Sequence, residues 1–240
     1  MTPYPGSDDR IGRWPRRRWA IVVRWLANRL VIRPVLRLSL RITVRMPDEL
    51  RGDSRLPGPV VLVANHGSHL DAPLILGWLP AGRRRVAVGA AADYFFSSRL
   101  RAVLTGLLFN TFPVPRPGRG GRVTTDAARL IDDGWSVLIF PEGTRSPDGS
   151  IGVFRFGAAA LCVRRDLSCV PIGLHGTHDA MPRGRRWPRR GRPPVLVRFG
   201  APLRPVPGES VAAFNQRVDC AVRNLRTPMT CPPTPRRSRS

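Results

Sequence analysis

This sequence of 240 residues contains no lysine. Its 40 basic residues are all arginine, set against 16 acidic ones, for a formal net charge of +24. Arginine codons are GC-rich, so a GC-rich coding sequence accounts for most of the bias. The net charge itself calls for a polyanionic neighbour, either nucleic acid or an anionic membrane surface. Zinc-finger spacing and RNP-type aromatic motifs are missing, so no nucleic acid is expected as partner. Cysteine is scarce: Cys162, Cys169, Cys220 and Cys231 show neither paired zinc spacing nor a disulfide framework, which suits a cytosolic setting. Long hydrophobic runs are lacking as well. The run Trp19–Val23 is cut short by Arg24, whereas a secretory signal needs about 7–15 apolar residues. The uncharged stretch Ala102–Pro115 has fourteen residues, short of the roughly 20 that span a bilayer. These absences exclude a small secreted disulfide scaffold, a zinc module and a single-span anchor. The expected location is the cytoplasmic face of a membrane, held peripherally.

What is present is 42% hydrophobic residues, enough for a sizeable core. Residues 1–12 read as a flexible start. From Arg13 to Arg45 apolar residues alternate with arginines, and Arg29, Arg33, Arg37 and Arg41 recur every four positions, along one helical face. Pro34 should break or kink this segment into two helices. A cationic stripe beside an apolar face, with Trp14, Trp19 and Trp25 near one end, fits a helix lying in a membrane interface; a helical hairpin packed on the main domain fits equally well. Beyond it, strands expected at Val60–Ala64, Val86–Ala91, Val137–Phe140, Cys169–Leu174 and Val195–Phe199 alternate with helices expected at Ser97–Leu108, Val123–Asp133, Gly157–Arg165 and Val211–Leu225. Such alternation predicts an α/β fold with a largely parallel central sheet flanked by helices. The expected domains are amphipathic helices over 1–45, one α/β domain over 46–226 and a disordered Arg/Pro/Ser tail over 227–240. Met181–Pro194 carries six arginines among prolines and glycines and reads as a basic loop, either solvated or touching lipid headgroups.

Two motifs carry the chemistry, Asn65-His66-Gly67-Ser68-His69-Leu70-Asp71 and Phe140-Pro141-Glu142-Gly143-Thr144-Arg145-Ser146. Each follows an expected strand end, where open α/β sheets place their sites. A hydroxyl attacks a thioester poorly until a base takes its proton, and histidine suits that task near neutral pH. A carboxylate accepting from the other ring nitrogen fixes the tautomer and stabilises the imidazolium. His66 and Asp71 are candidates for that pair, provided that a loop turning into a helix at Ser68 carries Asp71 back. Ser68 reads as the cap of that helix. A metal site built from the two histidine clusters, His66/His69 and His175/His178, is a weak alternative, without a carboxylate ligand set.

Both motifs resemble the signature blocks of the glycerolipid acyltransferases, most closely the lysophosphatidic-acid acyltransferase branch. Phe112-Pro113-Val114-Pro115-Arg116 is similar to that family's intermediate block, and Val170-Pro171-Ile172 to its proline-containing strand block. The resemblance covers residues 50–202. It implies acyl transfer from acyl-CoA or acyl carrier protein to the hydroxyl of a lysophospholipid, without cofactor or metal. His66 would be the base and Asp71 its partner. Arg116 and Arg145 would hold the acceptor phosphate, which suits the guanidinium fork. Glu142, Gly143 and Thr144 would shape the acceptor site, Glu142 by binding glycerol hydroxyls or fixing an arginine, Gly143 through a backbone N–H toward the oxyanion. The chain departs from the family where a lysine-glycine pair is usual and Phe154-Arg155-Phe156-Gly157 stands instead, and where the intermediate block is apolar before Arg116. Other acceptors, such as a lyso-ornithine lipid or a glycolipid, a hydrolase using the same base, and a non-catalytic binding protein for anionic lipid or nucleic acid are the competing readings.

Overall fold

The computed structural model describes residues 14–51, 58–80, 85–91, 99–114 and 122–227. The expected flexible start, the tail from residue 228 onward and Arg116 lie outside them. Seven strands form one sheet: β1 (Arg41–Arg45), β2 (Val61–Ala64), β3 (Val86–Ala91), β4 (Thr111–Val114), β5 (Ser136–Ile139), β6 (Cys169–His175) and β7 (Pro194–Phe199). Their order is β1-β7-β6-β2-β5-β3-β4. Every pairing is parallel except β6 with β7. The largely parallel α/β fold expected from the sequence is present.

The central strands read as unbroken apolar runs because both faces of the sheet are covered. Leu62 and Ala64 of β2 join Leu138, Val170 and Ile172 in one buried cluster, while Val61 and Val63 join Val137, Ile139 and Cys169 in the other. The first cluster is closed by Leu36 and Leu40 of the N-terminal segment and by Leu74 and Ile75 of α3 (Asp71–Trp78). The second is closed by α5 (Arg122–Asp132), α6 (Gly157–Arg165) and α8 (Val211–Arg226), through Leu130, Leu161 and Phe214 among others. Each such buried side chain contributes about 1.5–3 kcal/mol of transfer free energy. The remaining helices are α4 (Arg99–Phe109) and the short α7 (Thr177–Ala180). Gly173 of β6 lets α8 lie flat on the sheet, since a Cβ there would collide with the Leu225 backbone.

The N-terminal segment follows expectation at one point and departs from it at another. The change expected at Pro34 takes the form of a π-helical turn between two helices rather than a break in the chain's helical course. Helix α1 (Arg18–Ala27) runs through a π-helical turn, Asn28–Ile32, into α2 (Arg33–Ser39). The Arg33 N–H reaches back five residues to the Asn28 carbonyl, and this wide turn relieves the proline ring's clash with the preceding turn. Residues 41–45, expected to be helical, form β1 and pair in parallel with β7. The arginine stripe is also divided among different surroundings. Arg33 and Arg37 sit over the Trp78 ring, at 5.1 and 5.9 Å from its centroid. Arg24, buried, donates to the carbonyls of Pro15, Gly106 and Leu107 at 2.8–3.0 Å. It thereby caps the last turn of α4, and burial lowers its pKa to about 10.

Candidate active site

Strands β2 and β5 are parallel neighbours, so the two motifs leave the sheet side by side. Asn65 fastens the first to β6: its side-chain amide donates to the Leu174 carbonyl at 3.0 Å, and its oxygen accepts the Leu174 N–H at 2.8 Å. The chain then turns tightly, with the Asp71 N–H on the Ser68 carbonyl at 3.3 Å, into the first residue of α3. Asp71 thus sits at a helix N-terminus, where a carboxylate is favoured. Its Oδ2 receives three donors at 2.8 Å each: the Gly67 N–H, the Ser68 N–H and His66 Nδ1. The carboxylate is fully buried. Because a carboxylate accepts at Nδ1, a neutral His66 imidazole carries its proton there and leaves Nε2 unprotonated. The ring is held flat against Phe140, with centroids 4.1 Å apart and planes at 18°.

Ser68 does not serve as the expected helix cap. The residue before α3 is Leu70, and the Ser68 hydroxyl instead donates to the Met181 carbonyl at 2.7 Å while accepting the Leu70 N–H at 3.2 Å. It ties the motif to the end of α7 and is fully buried, which leaves it unsuited to nucleophilic attack.

The second motif closes over the first. Phe140-Pro141-Glu142-Gly143 is a turn in which the Gly143 N–H donates to the Phe140 carbonyl at 3.1 Å, with proline and glycine at the positions such turns favour. That N–H is therefore engaged within the turn. Glu142 is buried, and its two oxygens join separate segments: Oε1 accepts the His66 N–H at 2.7 Å and Oε2 the Gly152 N–H at 2.8 Å. The Ser146 N–H in turn donates to the His66 carbonyl at 2.8 Å. His66 is thus gripped at both its backbone N–H and its carbonyl by the second motif. Burial raises the Glu142 pKa above its ordinary value, and the bonds from Gly152 and His66 oppose the rise. Each carboxylate oxygen has a second lone pair, so Glu142 retains acceptor capacity toward a ligand.

A cleft of about 360 Å³ opens along this turn, lined by Glu142, Thr144, Ser146, Gly152 and Arg155 among others. Gly143 sits under the Arg155 guanidinium, where a Cβ would lie 3.2 Å from its Cζ. Arg155 thus supplies a cation at the cleft, close to where the sequence departs from the lysine-glycine pattern. Arg145 is half-buried and near His69, whose pKa falls to about 4 through burial, then the charges of Arg145 and His66. His69 is consequently neutral at physiological pH. Among the described residues no cluster of three or more His, Cys, Asp or Glu is placed to hold a metal ion.

The acyltransferase family model matches residues 41–175, more than half of the chain. The chain belongs to the acyltransferase family. The match runs from the first residue of β1 to the last of β6 and so contains both motifs. Over 160 residues the chain is 29% identical to a 1-acyl-sn-glycerol-3-phosphate acyltransferase of Limnanthes alba, covering 66% of this chain and 55% of that protein. Over 204 residues it is 29% identical to the alpha 1-acyl-sn-glycerol-3-phosphate acyltransferase of Bos taurus, covering 83% and 69%. The chain spans little more than half the length of the plant relative. The crystal structure of the 1-acyl-sn-glycerophosphate acyltransferase PlsC from Thermotoga maritima superposes with a TM-score of 0.61 at 22% identity, over 86% of this chain and 85% of that one, and shares the fold.

Of the residues singled out in the sequence, the structure brings His66, Asp71 and Glu142 together, with Gly143, Thr144 and Arg145 on the adjoining turn. Arg116 lies outside the described residues. Sequence reasoning passed over the contributions of Asn65, Phe140, Ser146 and Gly152 to the placement of His66. His178, considered from the sequence only as part of a histidine cluster, donates through its ring to the Pro147 carbonyl at 3.1 Å and packs beside Gly67. The loop that carries Gly152 is latched from α8: Arg223 reaches the Ile151 and Gly152 carbonyls at 3.4 and 3.1 Å, and Arg226 the Gly149 carbonyl. Paired residues of the two motifs were visible in the sequence; contacts made through backbone groups had no residue-type signal.

Proposed function

We propose that this protein transfers an acyl group from a thioester, acyl-CoA or acyl carrier protein, to the free hydroxyl of lysophosphatidic acid, giving phosphatidic acid. The observation that carries this reading is the His66–Asp71 contact, with a buried carboxylate fixed by two backbone N–H groups and an imidazole offering Nε2. In the reaction the acceptor oxygen bonds to the thioester carbonyl carbon as its proton passes to His66 Nε2. Collapse of the tetrahedral intermediate breaks the carbon–sulfur bond, and the thiolate takes the proton back from the imidazolium. No acyl-enzyme is formed, and no cofactor or metal takes part. Arg145, with Arg116, holds the acceptor phosphate, and Arg155 adds positive charge to the adjoining cleft along the second motif. Glu142 fixes the His66 backbone and offers its spare lone pairs to the acceptor's glycerol hydroxyls, while Gly143 and Thr144 form the exposed rim of the acceptor site.

The protein works from the cytoplasmic face of a membrane, as a peripheral enzyme. Supporting this, no helix among the described residues is long and apolar enough to cross a bilayer, while Trp19, Val22, Val23, Leu26, Leu30, Val31, Val35 and Leu38 are all exposed on the α1–α2 segment. Their spacing by three and four places them on one helical face. An acceptor series tests the assignment. Thiol release from acyl-CoA should require lysophosphatidic acid and fall at least about tenfold with a monoacylglycerol of the same chain, given the strength of a charge-assisted guanidinium–phosphate contact. Equal rates with and without phosphate would sink the phosphate role and favour another lysolipid. Release without any acceptor would indicate a hydrolase.

A further inference from the structure

The loop between α7 and β7 holds Arg183, Arg185, Arg186, Arg189, Arg190 and Arg192, all exposed. No ion pair forms at any of them among the described residues, and no acidic residue occurs from Ala180 to Gly208. Four surface arginines elsewhere are paired. Arg165 meets Asp132, Arg204 meets Asp166, Arg217 meets Glu209 and Arg223 meets Asp219, at 2.6–2.9 Å. A cluster of uncompensated like charges repels itself and is held together only at a cost. Here it is nonetheless built into a fixed turn. The Arg189 N–H donates to the Ala180 carbonyl at 2.8 Å and the Arg185 N–H to the Pro182 carbonyl at 3.2 Å. Within the same turn Trp187 stands 70% exposed.

The loop's position says what it faces. It leaves α7 at Met181, whose carbonyl holds Ser68 of the first motif at 2.7 Å. It ends against the N-terminal segment: Arg192 Nη2 donates to the Arg37 carbonyl at 2.9 Å, and Arg41 Nε to the Arg192 carbonyl at 3.2 Å. The basic turn therefore adjoins the last turn of α2, where Leu38 is 76% exposed. The uncompensated charge thus adjoins the apolar face through Arg192, and the same loop carries the exposed Trp187; basic, aromatic and apolar side chains together are the composition of an interfacial membrane site.

We propose that the 182–192 loop is a headgroup-binding surface for anionic phospholipid, separate from the catalytic cleft, which makes membrane attachment depend on lipid charge. It deepens the peripheral-membrane reading above and rests on it. The apolar face supplies a charge-independent attachment, and the loop supplies an increment that salt screens. An acidic carrier protein would satisfy the arginines but gives no reason for Trp187 or for the adjoining apolar helical face.

The test is co-sedimentation of the full chain with vesicles of neutral phosphatidylcholine and with vesicles containing phosphatidylglycerol, for the parent and for a variant with Arg183, Arg185, Arg186, Arg189 and Arg190 changed to Gln. Arg192 is kept because it holds the Arg37 carbonyl. The parent should bind anionic vesicles at least about tenfold more tightly at low salt, since each arginine near an anionic surface adds appreciably. The variant should lose that increment, keep the parent's binding to neutral vesicles and retain thiol release in neutral detergent micelles. Trp187→Ala should weaken binding to both vesicle types by a smaller factor. A variant that keeps the anionic preference would overturn the proposal. So would loop-dependent binding to acyl carrier protein exceeding that to anionic vesicles at matched salt, which would assign the loop to the donor. Loss of acyl transfer with an intact vesicle response would count against the enzymatic reading alone.

Discussion

The C-terminal ends of β2 and β5 and the α1–α2 segment both invert the usual partition of side chains, in opposite directions. At the strand ends two carboxylates, Asp71 and Glu142, are buried. On α1–α2 large apolar side chains stand in water, Leu30 at 66% and Leu38 at 76% exposure. The first inversion is compensated inside the molecule: Asp71 takes two backbone N–H groups and an imidazole, and Glu142 takes two backbone N–H groups. The second has no compensation among the described residues. A buried carboxylate held by several donors is fixed in place even where one oxygen is left over, as Asp71 Oδ1 is: all three donors fall on Oδ2 and Oδ1 has no partner. An apolar face left uncovered among the described residues is the kind of surface that marks an interaction site.

The sharpest way to break the first half of this contrast is Asp71→Asn. The amide keeps the size of the carboxylate but no longer favours a proton on His66 Nδ1. Acyl transfer should drop by about 10²–10⁴-fold, the range expected for loss of a general base, with circular dichroism unchanged. A decrease below tenfold would show that His66 is oriented without Asp71.

Glu142→Gln should cost less, about 10- to 100-fold in turnover, corresponding to one lost hydrogen bond to a charged group. It also has a stability signature of known sign. The Glu142 pKa is raised in the folded state, chiefly by burial, so the proton is bound more tightly there than in the unfolded chain. That contribution is fully present below the unfolded value, about 4.3, and is lost as pH rises through the raised folded value. The stability of the parent relative to the Gln variant should therefore improve as pH falls through a window above about 4.3, as read by thermal unfolding. A pH-independent difference would contradict the role given to burial.

The second half of the contrast is tested by Leu30→Glu with Leu38→Glu. Both side chains are exposed, so folding should be unaffected, while binding to neutral vesicles should fall about tenfold or more, from the apolar area no longer inserted. Unchanged binding would mean that this face has another partner.

The same division between inside and outside explains what the sequence revealed. The five inner strands were legible because they are buried on both faces, so Val61–Ala64 and Ser136–Ile139 carry no polar residue apart from Ser136. The two missed strands are the two edges of the sheet. In β1 arginines flank Ile42, Thr43 and Val44 and extend the four-residue repeat of the helix before it. In β4 Pro113 argues against a strand, yet at an edge a missing N–H is tolerated. Within the site, His66, Asp71 and Glu142 were legible as residue types at characteristic places. Gly152 and Ser146 were not, because each acts through its backbone N–H, which every residue but proline has. Ser68 misled for a related reason: its hydroxyl favours a local cap, but the Met181 carbonyl, distant in sequence, competed successfully for it.

The most direct measurement of the central claim is acceptor-dependent thiol release from acyl-CoA with lysophosphatidic acid, for the parent and for His66→Ala bound to the same vesicles. The account predicts release in the parent that depends on acceptor, and its loss in the variant with vesicle binding preserved. Acceptor-dependent release that survives in His66→Ala would contradict it, because the base would then lie elsewhere.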